Sequence, residues 1–257
     1  MKWIKVSNYD EMSERIAQHL FRVITEGVCY GRTVNIGLAT GITMIKLYGI
    51  LARMLNASGI GLSKLSTFNL DEYVGEDGRN VSPTHPLSYR RYMDEKLFNL
   101  LDPRLGFKSN QMHFPDASEP AKYDLEISVS GGLDFQLLGL GFNGHIAFNE
   151  PICEKKISAD EFARLPSHLV ELDGLTLQTN ARLTAGSDLR KVPCKAVTMG
   201  MSTILKAREI LLLACFPEQA VPLLKIKSGT ITPELPASFL LRHQNAEIIY
   251  TEDTVKL

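Results

Sequence analysis

Short apolar runs alternate with amphipathic stretches along most of this chain, and that alternation limits the fold more than any other feature. Residues 9–27 place Met12, Ile16, Leu20, Val23 and Ile24 on one helical face, with Asp10 and Glu11 near its start. Thr33 to Leu38 reads as a buried strand and Thr43 to Leu55 as a helix. A strand follows at about Leu65 to Leu70, then a helix at about Ser88 to Leu100 and a strand from Asp134 to Leu140. Glu209 to Ala214 and Glu247 to Tyr250 read as strands flanking a helix near 217–227. This rhythm predicts an α/β fold, a mostly parallel sheet with helices on both faces. No repeat, low-complexity tract or linker divides residues 1–257, so a single domain is expected. The stretch 152–192, polar and mixed, is the least regular part and is expected to form an excursion or lid over the site.

A chain of 257 residues buries roughly three quarters of its unfolded surface and needs neither disulfides nor metal to fold. Its 28 basic and 29 acidic side chains give no global attraction to nucleic acid or to anionic membrane. Any phosphate it binds is therefore held by a local pocket. Cys29, Cys153, Cys194 and Cys215 are scattered without metal-ligand spacing, which suits a reducing cytosol. The N-terminus has no long apolar stretch, and no uncharged run is long enough to span a membrane. A cytoplasmic location is expected.

In parallel α/β sheets chemistry gathers at the carboxyl ends of strands, which singles out the loops after Leu38, Leu70 and Leu140. The first, Thr40-Gly41-Ile42-Thr43, opens a helix, and its N–H groups and hydroxyls suit a phosphate or carboxylate. It is neither a Walker A loop nor GxGxxG, so nucleotide binding is not supported, and taken alone a plain N-cap by Thr40 is the simpler explanation. The second carries Asp71 and Glu72, two adjacent carboxylates that are costly to desolvate unless paired or used. Such a carboxylate serves as a general base; a solvated turn, or Asp71 capping the next element, is the plainer alternative. The third runs from Gly139 through Gly141, Asn143 and His145 to Glu150. Its glycines permit close backbone approach to a ligand, His145 can move protons near neutral pH, and Glu150 is near enough in sequence to orient it. No HxxxH pair supports a zinc site and no GxSxG supports a serine nucleophile.

The segments Phe68-Asn69-Leu70-Asp71-Glu72-Tyr73-Val74-Gly75 and Gly141-Phe142-Asn143-Gly144-His145-Ile146-Ala147-Phe148-Asn149-Glu150-Pro151 resemble the two signature motifs of the glucosamine-6-phosphate deaminase/isomerase family. His85-Pro86-Leu87-Ser88-Tyr89, Asn180-Ala181-Arg182, Val197-Thr198-Met199-Gly200 and Pro236-Ala237-Ser238-Phe239 fall in the family's order, so the resemblance spans nearly the whole chain. It implies a modified Rossmann-like fold and conversion of a hexosamine 6-phosphate, glucosamine or galactosamine, to a ketose phosphate plus ammonia, without cofactor or metal. By the same resemblance His145 assists ring opening, Asp71 shuttles a proton between C2 and C1, and Glu150 tunes His145. Thr40, Gly41, Ile42, Thr43 and Arg182 grip the phosphate, and Glu72, Gly139 and Gly141 complete the substrate-binding set.

Three departures accompany the resemblance. Many members carry Asp where this chain has Asn143; a family lysine for the phosphate aligns with Gln219, with Lys225 or Lys227 as substitutes; and segment 152–181 does not resemble the allosteric region of some members. No such regulation is expected, and although oligomers are common in the family no interface signal fixes a number. The rival readings are a 6-phosphogluconolactonase-type hydrolase of the same superfamily and a non-catalytic sugar-phosphate sensor. Phe148-Asn149-Glu150-Pro151 and the intact Asp71-Glu72 pair disfavour the first. The lack of a DNA-reading helix pair or basic patch disfavours the second.

Overall fold

Strand β1 (Lys2–Val6) leads into helix α1 (Tyr9–Cys29) in the computed structural model, which describes residues 1–257. Asn8 caps α1 by accepting the Glu11 N–H, and Asp10 and Glu11 occupy the first turn, where acidic groups complement the helix dipole. Met12, Ile16, Leu20 and Ile24 are buried, each contributing roughly 1.5–3 kcal/mol, while Val23 packs half-buried beside them. Strand β2 (Val34–Leu38) is buried along its whole length, and a 3-10 turn at Ile42–Met44 opens helix α2 (Ile45–Ser58). That helix stops where Gly59 turns left-handed at φ 64°, a conformation glycine adopts without a Cβ penalty.

Strands β3 (Leu65–Asn69) and β4 (Asp71–Val74) are separated by Leu70 alone. Helix α3 (Tyr89–Lys96), strand β5 (Met112–His113), helix α4 (Pro120–Val129) and strand β6 (Phe135–Gly139) follow. Then come α5 (Ala159–Ala163), β7 (His168–Glu171), α6 (Gly174–Thr184), β8 (Lys195–Thr198), α7 (Met201–Ile204), β9 (Ile210–Ala214), α8 (Ala220–Lys227) and β10 (Ala246–Thr251). No helix is long and apolar enough to cross a membrane.

Seven strands form one parallel sheet in the order β1-β10-β9-β6-β2-β3-β5, flanked by helices. From β2 the chain moves through β3 to β5, then returns as β6 on the other side of β2. The carboxyl ends of β2 and β6 therefore diverge around a crevice, the position where ligands settle in open α/β sheets. Gly37 and Gln136 face each other across this junction, and a Cβ at 37 would come within 2.0 Å of Gln136 Oε1. The glycine leaves room for a buried amide whose Nε2 donates to the Leu137 carbonyl at 2.8 Å.

A second sheet, β4-β8-β7, is antiparallel, with Asp71 opposite Thr198. Tyr73, Phe148, Leu172 and Ala196 belong to a smaller core beneath it. This sheet departs from the sequence reading, which left Asp71 to Val74 as a loop and 152–192 as irregular. That segment instead holds α5, β7 and α6. Its apolar signal is weak because β7 alternates half-buried and exposed side chains, and the buried residues of α6 are only Thr176 and Ala181. The helix expected to reach residue 100 ends at Lys96, and a 3-10 turn at Phe98–Leu100 carries the chain onward.

Candidate active site

The loop after β2 is built to present N–H groups. Gly41 has φ 115°, outside the range a side chain tolerates, and its carbonyl is drawn away by the Tyr92 hydroxyl at 2.7 Å. Tyr9 takes the Ile42 carbonyl at 3.1 Å, and Tyr48 donates to the Ala39 carbonyl. With the carbonyls held from behind, the N–H groups of Thr40, Gly41, Ile42 and Thr43 donate to nothing within the chain and stand at the start of α2. That arrangement favours an anion.

Asp71 and Glu72 separate because successive side chains of a strand point to opposite faces. Asp71 is 6% exposed, lines the same cavity as Thr40–Thr43, and receives no hydrogen bond from the chain. Burial, reinforced by the Glu72 charge, pushes its carboxyl well above the ordinary range. Glu72 faces away from the cavity. It accepts the N–H groups of Tyr73, Tyr89 and Arg90 at 2.9 Å each and the Ser88 hydroxyl at 2.8 Å, and so caps the start of α3. The expectation that Glu72 contacts substrate is corrected accordingly: its oxygens are already engaged.

The loop after β6 brings His145 to the cavity with Glu150 behind it. His145 Nδ1 lies 3.1 Å from Glu150 Oε2, which leaves Nε2 as the free ring nitrogen. Asn143 braces both, accepting the His145 N–H at 3.1 Å through Oδ1 and donating at 2.7 Å from Nδ2 to Glu150 Oε2. Burial raises the Glu150 carboxyl, but the hydrogen bond and charge of His145, with Thr176 and Asn143, outweigh it and hold the group below its ordinary value. Gly141 is required by packing, since a Cβ there would stand 2.5 Å from the His145 ring. Ala147 has a left-handed φ of 52°, a strain that marks this loop. The Phe148 N–H donates to Thr198 Oγ1 at 3.0 Å, which ties the His145 loop to the strand that pairs with Asp71.

One cavity of about 510 Å³ collects these groups: Thr40, Gly41, Ile42, Thr43, Asp71, Gly139, Gly141, Asn143 and His145 all line it. Glu150 stays behind His145, and Arg182 stands at the rim. The Arg182 guanidinium lies 5.5 Å from the centroid of the cavity-lining Phe142 ring and pairs with Glu218 at 2.7 Å. Gln219 lines the cavity but its amide is committed to the backbone, accepting the Cys215 and Phe216 N–H groups at 2.8 Å each and donating to the Leu140 carbonyl at 2.6 Å. Neither expected substitute cation is available there. Lys227 sits over the Trp3 and Tyr250 rings, and Lys225 is exposed on α8 away from the cavity lining. No group of three or more His, Cys, Asp or Glu side chains has an arrangement suited to holding a metal ion.

The sequence reading assigned no role to Tyr73 and Tyr89, nor, on α6, to Thr176 and Asn180, although it placed Arg182 of that helix at the phosphate. The two tyrosine rings stack at 4.9 Å, and Asn180 Nδ2 donates to the Tyr73 hydroxyl at 2.8 Å. Burial raises both phenols, which remain neutral. Thr176, 4% exposed, brings its Oγ1 to 3.3 Å from His145 Nδ1. Its only sequence signal is its place one helical turn before Asn180.

A family profile described as glucosamine-6-phosphate isomerases/6-phosphogluconolactonase matches residues 7–148. A glucosamine-6-phosphate deaminase of Geobacillus sp. (strain WCH70) is 38% identical over 263 residues, covering 100% of this chain and 96% of that one. The solved structure of a monomeric glucosamine-6-phosphate deaminase superposes with a TM-score of 0.85 at 32% identity, over 98% of both chains. A 6-phosphogluconolactonase from Trypanosoma cruzi reaches a TM-score of 0.74 at 18% identity, over 98% of this chain and 94% of that one, a likeness of fold alone.

Proposed function

Because the chain belongs to the glucosamine-6-phosphate isomerase/6-phosphogluconolactonase family, we propose that it deaminates and isomerises glucosamine 6-phosphate, giving fructose 6-phosphate and ammonia. The observation that carries this reading is the pairing, in one cavity, of a desolvated carboxylate (Asp71) with a histidine backed by a carboxylate (His145–Glu150). A lactone hydrolysis needs no base at a carbon acid, whereas an aldose-to-ketose conversion does.

The phosphate is held by the N–H groups of residues 40–43, with Arg182 leaving Glu218 to join it. Anchoring this remote group positions C1 and C2 and supplies binding energy for proton transfer. His145 moves a proton at the ring oxygen through Nε2 and opens the pyranose. Asp71, made basic by burial, takes the C2 proton and returns it to C1. The C1 oxygen gains the proton that the ammonium gives up, the amine-bearing carbon becomes an iminium, water adds to it, and ammonia leaves as the ketone forms. The substrate's own ammonium offsets the cost of an ionised Asp71 before the transfer. The solved relative is described as monomeric, which supports a site that is complete in one protomer.

Ammonia release from glucosamine 6-phosphate and galactosamine 6-phosphate, measured side by side with hydrolysis of 6-phosphogluconolactone, tests the reading. A preference for the gluco epimer is expected. Preference for the galacto epimer would correct the substrate, and lactone turnover without ammonia would overturn the reaction.

A further inference from the structure

Helix α6 carries a buried hydroxyl that the scheme above does not use. Thr176 is the third residue of α6, and its buried hydroxyl makes its hydrogen-bonding contacts outside its own helix. It finds the proton-transfer pair. Its Oγ1 lies 3.3 Å from His145 Nδ1 and 3.4 Å from Asn143 Nδ2. At the N-cap of the same helix, the Asp173 N–H donates to Glu150 Oε1 at 3.3 Å. Phe148 borders the imidazole edge-on, with ring centroids 5.8 Å apart.

We propose that Thr176 is a positioning residue, whose hydroxyl completes the ring of polar groups around His145 Nδ1 and Glu150 and holds the imidazole with Nε2 facing the cavity. The inference rests on His145 acting in proton transfer. The hydrogen-bonding capacities are mutually consistent. Asn143 spends its Oδ1 on the His145 N–H, its NH2 serves Glu150 and Thr176, and the Nδ1–H of His145 points at Glu150. Without Oγ1 the Nδ1 side of the ring keeps a single partner, and the imidazole gains freedom to swing. Since catalytic groups lose rate steeply when slightly misplaced, the effect falls on turnover rather than on affinity.

The test compares Thr176→Val, which keeps the shape and removes the hydroxyl, with Thr176→Ser, which keeps the hydroxyl. T176V is expected to lower kcat about tenfold with KM within about twofold, and T176S to recover most of the loss. Nitrogen-15 histidine spectra of the ligand-free protein give a readout independent of turnover. The His145 signals, identified by their disappearance in His145→Gln, are expected to show the Nδ1–H form in the wild type and shifted, exchange-broadened imidazole resonances in T176V, as the ring loses its fixed orientation. Where Val perturbs folding, Thr176→Ala repeats the comparison. Unchanged kcat and unchanged imidazole shifts in T176V, or a T176S as impaired as T176V, would overturn the proposal. A wild type that releases no ammonia from either amino sugar would sink the functional reading instead, and the imidazole spectra would still decide the role of Thr176.

Discussion

Replacing Asn143 by Asp probes how the His145–Glu150 pair holds its charge. The His145 N–H fixes which end of the amide is the acceptor, so the NH2 faces Glu150 Oε2 at 2.7 Å. N143D keeps the acceptor and puts a second carboxylate oxygen where the donor was. Two unit charges at that separation repel by about 6 kcal/mol at an effective dielectric of about 20. Side-chain shifts within a packed loop relieve only part of this, so near neutral pH the two carboxyls share one proton. The sign of the pH dependence reverses as a result. In the wild type the lowered Glu150 carboxyl contributes stability above the ordinary glutamate value, lost as pH falls through the lowered one. In N143D the shared carboxyl is raised, so it costs stability at neutral pH and the cost fades on acidification. The acidic limb of kcat/KM should move up by at least about one pH unit. The melting temperature should fall at about pH 8 and approach wild type at about pH 5. Ammonia release across that range and thermal denaturation at both ends give the measurements. Superimposable pH profiles, or a variant more stable than wild type at about pH 8, would refute the donor role of Asn143.

Asp71→Asn removes an unpaired buried carboxyl whose raised value costs folding stability once pH rises past the ordinary aspartate range. It should cut kcat by about 10²–10⁴-fold yet raise the melting temperature at neutral pH by about 2–4 °C, and a less stable variant would make Asp71 structural. Glu72→Gln turns an NH2 toward one of the N–H groups that Glu72 accepts, and it should lower stability to urea by about 1–3 kcal/mol while leaving KM near wild type. A large KM change without loss of stability would return Glu72 to the binding set. Arg182→Ala should raise KM about tenfold with kcat less affected, as expected for a lost phosphate contact; an unchanged KM removes Arg182 from the site.

The main sheet was legible because β2, β6 and β9 are nearly continuous apolar runs, and a buried parallel strand leaves that mark. The strand-end rule then located Thr40–Thr43, Asp71 and His145, which do line one cavity. The small sheet was not legible. Strand β4 opens with two carboxylates, and a single residue, Leu70, carries the chain from one sheet to the other, so no period marks the change. The division between Asp71 and Glu72 followed from that missed strand: read as a loop, the two carboxylates look equivalent, and only the pleat tells them apart. Thr176 was hidden for another reason. Its partners lie 31 and 33 residues away in sequence, and a threonine in a polar helix carries no signature of the imidazole it meets.

The pairing of Asp71 with Thr198 has a consequence for how this chain tolerates change. Since side chains alternate across a strand, sliding β4 by one residue against β8 would exchange the two carboxylates, sending Glu72 into the cavity and Asp71 against the start of α3. The carboxylate in the cavity would then be one methylene longer and the cap one methylene shorter, with composition unaltered. A single-residue deletion between Asn69 and Asp71 would therefore act as a chemical substitution made by geometry. Thr198 keeps the count by holding the Phe148 N–H as well as facing Asp71, so Asp71 and the His145 loop are measured from the same residue.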